Sequence, residues 1–321
     1  VQKEAETISD ASATTVLLRL SPNARFKSLS RLVGGVSANT YVLEATATNG
    51  ESMRWVLREH GSTHSGHPVN TEFALLEALH KSGLNVPKPI FSDVSHSHSK
   101  YDFLVMDYVD GSSEIPANQH RRYITAMARQ LGEIHRQPLE SLSNLPNLPQ
   151  RLDPLPELFD YLPDGAGWVE ARRQLSQLAE TDYKGAWCLL HGDYWPQNIL
   201  WQHGEIVSIL DWEDAAVGDP LSDVAAASLE LRYLFGFAGM QDFITAYGVP
   251  GEIDQQRLAL WQVYVAAAAQ HFMSEWGLEP EREAHMREVA LATIREALVM
   301  LPKGDRLAHR WAFDVNVLLF A

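Results

Sequence analysis

Three side chains near the middle of the sequence, Asp193, Asn198 and Asp211, have the types and spacing for metal-assisted group transfer. Asp193 and Asn198 lie five residues apart in His191-Gly192-Asp193-Tyr194-Trp195-Pro196-Gln197-Asn198, a stretch that reads as a loop. Asn198 to Trp201 and Ile206 to Leu210 read as two strands, and Gln202-His203-Gly204-Glu205 between them is polar and holds the Gly a hairpin turn favours. Such a hairpin sets Asn198 at the start of one arm beside Asp211 at the end of the other. An amide oxygen and a carboxylate facing one point form a hard-oxygen donor set that suits Mg²⁺ carrying phosphates. Asp193 then hangs over that point from the loop, free to take a proton from an incoming hydroxyl, the arrangement phosphoryl transfer needs.

The elements that must position these groups follow from composition and pattern. A chain of 321 residues, 45% hydrophobic and 21% charged, has ample material for one large or two moderate domains with a packed core. The single cysteine, Cys188, excludes an internal disulfide framework or a Cys-rich metal site, and its place in the apolar run Trp187 to Leu190 marks it as core. The sequence has no apolar run of about 20 residues, and Val1-Gln2-Lys3-Glu4 is too polar for a signal peptide. The expectation is a cytoplasmic protein that does not enter membranes. A net charge of −15, from 41 acidic and 26 basic residues, repels nucleic acid and anionic membranes and favours cationic small molecules.

From Phe26 the texture is strand-like. In Leu32 to Glu44, Gly34 and Gly35 separate two apolar runs, and a glycine-tipped strand-turn-strand lets backbone N–H groups approach a phosphate. Arg54 to Arg58 alternates as a strand ending in a cation. Asn70 to Leu79 has helical spacing, closed by Gly83. Val86 to Ile90 is extended, as its prolines demand. Phe103 to Met106 is a strand, and Arg122 to His135 a helix. His64 and His67 read as loop residues with no third ligand in view. Gln137 to Gly167 holds many prolines and scattered acids and reads as a long loop with short helical turns, either a cover for an acceptor site or a surface insertion. Apolar stripes mark helices over Val169–Leu178, Leu229–Phe237, Asp242–Tyr247, Ile253–Met273 and Glu281–Met300, with a tail from Arg306. Ala11 to Leu20 reads as a short packing helix. Asp219 and Asp223 bracket a helix start at Pro220 and read as capping residues that hold the loop.

His191-Gly192-Asp193 with Asn198, then Asp211-Trp212-Glu213, then Gly218-Asp219-Pro220 and Asp223, closely resembles the aminoglycoside phosphotransferase/choline kinase family. The motifs fall in order over Leu189 to Ala225, and weaker correspondences extend from about Leu32. The resemblance implies an α+β, protein-kinase-like fold, with a small β-rich nucleotide-binding lobe over residues 1–109. A larger, mainly helical lobe for catalysis and acceptor binding takes residues 110–321. It implies ATP, or alternatively GTP, with Mg²⁺ as cofactors, and a small-molecule hydroxyl as acceptor. Arg58 falls where kinases usually place a Lys on the α and β phosphates, and Glu72 is its candidate partner. The guanidinium grips phosphate in bidentate fashion, although Arg and Lys are not interchangeable. Met106 to Val109, with Met106 and Tyr108 as named contacts, should border the adenine. His135, in Leu131-Gly132-Glu133-Ile134-His135, should brace the catalytic loop. Glu230, Tyr233, Glu275 and Trp276 are acids and aromatics within range of an acceptor pocket, without individual assignment.

Two other readings differ in class. A protein kinase fits poorly, because Trp212-Glu213 replaces the usual Phe-Gly after Asp211, no Ala-Pro-Glu follows, and the stretch to Asp223 is too short for an activation loop. A non-catalytic nucleotide-binding protein of the same fold would explain Arg58 as decay, but the retention of Asp193, Asn198 and Asp211 together argues against it. The family's acceptors include aminoglycosides, macrolides, choline, ethanolamine, homoserine and sugars, and the sequence does not choose among them.

Overall fold

The computed structural model describes residues 8–32, 38–61, 66–142, 147–178, 181–248 and 253–302. Five strands, β1 (Arg25–Arg31), β2 (Asn39–Thr46), β3 (Ser52–Glu59), β4 (Pro89–Asp93) and β5 (Phe103–Asp107), form an antiparallel sheet in the order β1-β2-β3-β5-β4. Alternation along a strand sends successive side chains to opposite faces, and β5 shows what each face buries. Phe103 and Val105 pack with Tyr41, Leu43, Leu57 and the Val16 and Leu17 side chains of helix α1 (Asp10–Leu20). Leu104 and Met106 join the opposite cluster with Leu75, Leu76 and Leu79 of α2 (Val69–Lys81). The sheet is therefore covered on both sides, and α1 keeps its first turn by the Ser9 cap on the Ser12 N–H.

Between Asp107 and His120 the chain passes from the sheet to a larger, mainly helical part. Helix α3 (His120–His135) buries Tyr123, Ile124, Met127, Ala128, Leu131 and Ile134, the three-and-four spacing of one helical face. The region read as a long loop contains α4 (Leu155–Tyr161) and is followed by α5 (Val169–Ser176). Helix α6 runs over Pro220–Tyr247, with a kink at Gly236 (φ +69°, ψ −168°). The sequence shows it as separate pieces because its first turns are buried on all sides and carry no single apolar stripe. Helices α7 (Gln255–Phe272) and α8 (Pro280–Met300) pack through Ala266, Ala267, Ala290 and Ala297, small residues that permit close approach. The tail expected from Arg306 lies outside the described residues, as do Gly34 and Gly35. Among the described residues, no helix is long and apolar enough to cross a membrane.

Two small β-structures shape the middle of this part. Strand β10 (Ala216–Gly218) lies between β6 (Gln150–Arg151), to which it is parallel, and β7 (Cys188–Leu190), to which it is antiparallel. Strands β8 (Ile199–Gln202) and β9 (Glu205–Ile209) form a separate two-stranded ribbon. Its arms sit within one residue of their expected positions.

Candidate active site

The loop after β7 is held from beneath by one buried carboxylate. Asp223, in the first turn of α6, accepts the His191 N–H at 2.7 Å and the Gly192 N–H at 3.0 Å, and lies 3.2 Å from His135 Nε2. His135 Nδ1 is in turn 2.7 Å from the Tyr247 hydroxyl. Burial works to raise the Asp223 pKa, but the hydrogen bond and charge of His135, with the charge of Arg151, hold it below the ordinary carboxylate value. Asp219 is the residue that caps α6, accepting the Leu221 N–H at 2.9 Å, while its other oxygen takes Arg257 at 2.5 Å and Trp261 at 2.6 Å. The expectation of two capping acids is thus corrected for Asp223. It fixes the loop by direct hydrogen bonds to backbone N–H groups 31 and 32 residues away, and His135 braces the loop through it.

His191 is buried, with Nε2 2.9 Å from the Leu210 carbonyl and Nδ1 accepting the Asp193 N–H at 3.2 Å. Those two bonds assign a neutral ring protonated at Nε2, in keeping with a pKa lowered by burial. Gly192 turns with φ +88°, and a Cβ there would lie 2.0 Å from the Asp214 carbonyl oxygen. Arg151 bridges the same two segments, donating to the Gly192 carbonyl at 3.2 Å and the Asp214 carbonyl at 3.3 Å.

On this platform the structure brings the three sequence-selected groups together. Asn198 closes a 3₁₀ turn over Pro196–Asn198, and its Nδ2 donates to Asp193 at both the backbone oxygen and Oδ2, each at 2.9 Å. The Leu210 N–H donates to the Asn198 carbonyl at 2.8 Å, which places Asp211 beside Asn198. The β8–β9 register pairs Ile199 with Ile209, and His203 (φ +53°) and Gly204 (φ +81°) make the two-residue turn with both φ values positive that fits strand twist. Asp211 itself holds φ +62°, a conformation that costs a non-glycine residue stability. Asp193 is exposed to solvent. Desolvation first, then the charges of Asp211 and Asp214, push its pKa up to about 7 against the Asn198 hydrogen bond. Its exposure to solvent tempers that shift.

Arg58, at the end of β3, is buried and surrounded by acids. Its guanidinium lies 3.2 Å from Glu72 and 2.7 Å from Asp211, and it pairs with Glu213. Burial opposes its charge, but Glu72, Asp211 and Glu213 more than offset this and keep it protonated. Glu72, in the first turn of α2, also meets His60 at 2.8 Å. The segment before α2 reaches the same place: His67 N–H donates to the Glu213 carbonyl at 3.0 Å and its Nε2 lies 2.8 Å from the Ala215 carbonyl. A Cβ on Gly66 would come within 2.6 Å of Glu213 Cβ, so only glycine permits this approach. Met106 is buried in β5, and Tyr108, just beyond the strand, lies under the Arg54 guanidinium at 4.2 Å.

The donor set fits a hard divalent cation. Asn198 uses its nitrogen on Asp193, leaving its amide oxygen outside those bonds. Asp211 Oδ1 is buried and, although ion-paired to Arg58, accepts no well-aligned hydrogen bond. An amide oxygen and a carboxylate suit Mg²⁺ better than a soft metal. Sequence reading missed Arg151, His60 and Asp214, and offered Glu213 to the metal shell or the acceptor, whereas the structure pairs it with Arg58. Their partners lie 12 to 155 residues away, and only an unusual density of charge near apolar runs hints at them.

Comparison with known proteins now decides the family. The profile described as "Phosphotransferase enzyme family" matches residues 28–261, well over half of the chain. The chain belongs to the phosphotransferase enzyme family. Among curated relatives, acyl-CoA dehydrogenase family member 10 of Mus musculus is 26% identical over 213 residues, covering 58% of this chain and 19% of its own. Viomycin phosphotransferase of Streptomyces vinaceus is 34% identical over 74 residues, covering 22% of this chain and 25% of its own. The chain therefore spans about a fifth to a quarter of the length of these relatives. Among solved structures, the GDP complex of an aminoglycoside 2′-phosphotransferase-IIIa variant superposes with TM-score 0.62 at 18% identity, covering 91% of this chain and 98% of its own. Choline kinase LicA of Streptococcus pneumoniae gives TM-score 0.57 at 17% identity, covering 88% and 98%. A thermostable APH(4)-Ia variant bound to AMP-PNP and hygromycin B gives 0.60 at 14% identity, covering 88% and 97%. These likenesses establish the fold of the phosphotransferase family member described here: α+β, protein-kinase-like, with a sheet-rich N-terminal lobe and a larger helical lobe.

Proposed function

We propose that this chain is an ATP-dependent kinase of a small-molecule alcohol, with GTP as the alternative nucleotide and Mg²⁺ as its metal. Residues 1–109 form the nucleotide lobe and residues 110–321 the catalytic and acceptor lobe. The observation that carries the reading is the Asp193–Asn198–Asp211 cluster: one carboxylate oriented by an amide at 2.9 Å, beside a second carboxylate on the adjoining strand end. Phosphoryl transfer asks a protein chiefly for positioning and charge neutralisation, and this set supplies both. Asp193 orients the acceptor hydroxyl and takes its proton. Asn198 and Asp211 would hold Mg²⁺, which when bound neutralises charge on the nucleotide phosphates. Arg58, set by Glu72, holds those phosphates, Gly34 and Gly35 cover them, and Met106 and Tyr108 border the base.

Two solved relatives, one bound to GDP and the other to AMP-PNP with hygromycin B, support a nucleotide and a small-molecule acceptor. The test is transfer from labelled ATP, with and without Mg²⁺, to viomycin, hygromycin B and choline, the small molecules that the relatives are named for or bind. Mass spectrometry of a phosphorylated product, dependent on Mg²⁺ and lost in Asp193→Asn, is the expected result. Tight nucleotide binding without transfer to any acceptor, unchanged by removal of Mg²⁺, would favour a non-catalytic binder instead.

A further inference from the structure

Away from the catalytic centre, a cavity of about 470 Å³ lies between helix α3 and the tip of the β8–β9 ribbon. Arg121, Arg122 and Arg129 line it from the helix, and Gly204 and a single acid, Glu205, line it from the ribbon. The whole chain carries a net charge of −15 with only 26 Lys and Arg, so three guanidinium groups around one cavity reverse the sign locally. None of the three is held by a close ion pair. Arg122 lies 3.5 Å from the Gly204 carbonyl and 3.4 Å from Glu205, the outer limit of hydrogen bonding. Arg121 is 3.4 Å from Asp242. Arg129 is exposed and enters no hydrogen bond or ion pair among the described residues.

The backbone around the cavity adds to its field. The first turn of α3 carries no acid and its Gln119 cap makes no side-chain hydrogen bond, although a helix N-terminus favours negative charge. Gly204 (φ +81°) lets the ribbon tip approach, since a Cβ there would lie 3.0 Å from the Arg122 guanidinium. Like charges gathered in this way repel, and an anion between them removes the penalty. We propose that the cavity binds a compact small molecule bearing two or more negative phosphate charges, at a site separate from Asp193. Guanidinium forks match phosphate oxygens in bidentate fashion. The volume falls in the range of about 300–1,000 Å³ usual for small-molecule sites. A long polyanion is repelled by the acidic remainder of the surface, whereas screening within about 8 Å leaves a compact anion under the local arginines. The ribbon that forms one wall carries Asn198 and Asp211 at its base, and α3 ends at His135. The bound anion therefore rests on both elements that position the catalytic groups. The proposal does not depend on the kinase reading of those groups.

The test is calorimetric titration of the full chain, in buffer free of Mg²⁺, with pyrophosphate, fructose 1,6-bisphosphate and an octaglutamate peptide. The same titrations are run on Arg122→Gln and Arg129→Gln, and on Arg25→Gln, an exposed arginine of β1 outside the cavity, as the control. At least one phosphate probe should bind the wild type. Its affinity should fall about tenfold or more in each α3 variant, the scale of one lost charge-assisted hydrogen bond, and stay unchanged in Arg25→Gln. Arg129→Gln should melt at the wild-type temperature, because it breaks no ion pair, so its loss of affinity reads the site and not the fold. The probe should raise the melting temperature of the wild type more than that of either α3 variant. No binding of either phosphate probe would overturn the proposal. Binding indifferent to either α3 variant would place the anion elsewhere, and an equal loss in Arg25→Gln would reduce the effect to general charge; both overturn it. Octaglutamate binding tighter than both phosphate probes would assign the cavity to an acidic peptide and overturn it as well.

Discussion

Asp223 and Asp193 are two carboxylates with opposite environments, and the contrast assigns their work. Asp223 is buried with hydrogen bonds at both oxygens and a pKa below the ordinary value; Asp193 is exposed to solvent with a pKa above it. Asp193→Asn should lower kcat about 10²–10⁴-fold, the usual scale for a lost general base, with nucleotide affinity retained; steady-state kinetics and AMP-PNP titration check this. Asp223→Ala should destabilise by roughly 3–5 kcal/mol, because it strands two buried N–H groups and His135, read by urea denaturation at neutral pH. The pH dependence has a definite sign. A folded pKa below the unfolded value near 3.9 means the stabilisation is complete above that value and is lost as pH falls through the folded one. The gap between wild type and Asp223→Asn should therefore be widest near neutrality and close below about pH 4. Residue identities were legible where partners are close in sequence: Asp193, Asn198 and Asp211 fall within one short stretch. Glu213 was not, because Arg58 lies 155 residues away and nothing local marks the pair.

At the scale of elements, glycines with a stated geometric need hold the catalytic loop and the close approach of the segment before α2. Gly192 has φ +88° and a Cβ there would meet the Asp214 carbonyl oxygen at 2.0 Å, whereas Gly83 has φ +87° and open space around it. Gly83→Ala should cost only about 1–2 kcal/mol from backbone conformation. Gly192→Ala adds the backbone clash, and should lower both melting temperature and turnover well beyond the Gly83 variant; paired thermal melts and transfer assays separate the two. The hairpin was readable because Gly204 and the alternating arms are local signals. Strands β6, β7 and β10, two or three residues each, were not, since they are too short to show a period. Helix α6 was read in fragments: its opening turns bury Leu221, Ser222, Asp223 and Val224 consecutively, so no amphipathic stripe marks them. The stretch read as a loop with short turns holds α4, whose Glu157 accepts the Tyr264 hydroxyl at 2.6 Å, a contact that ties it to α7.

For the whole molecule, Arg58 links the two lobes. It comes from β3, takes Glu72 from α2, and reaches Asp211 and Glu213 on the other side of the cleft. Replacing it by Met would leave three neighbouring carboxylates without their shared cation, so both stability and nucleotide affinity should fall, the former by roughly 3–5 kcal/mol. Denaturation curves with and without nucleotide would show the two losses separately. The two-lobe fold was legible because its motifs occur in a fixed order along the chain; the acceptor was not, because no motif in the sequence chooses among the small molecules that such enzymes phosphorylate. The central claim is that Asn198 and Asp211 hold the cation through which nucleotide binds. The most direct measurement is calorimetric titration of AMP-PNP into wild type and Asp211→Ala, each with Mg²⁺ and with a chelator. Binding to wild type that requires Mg²⁺, and its loss in a folded Asp211→Ala, is the predicted result. Equal binding with and without the metal, or metal-dependent binding that survives Asp211→Ala, would contradict it.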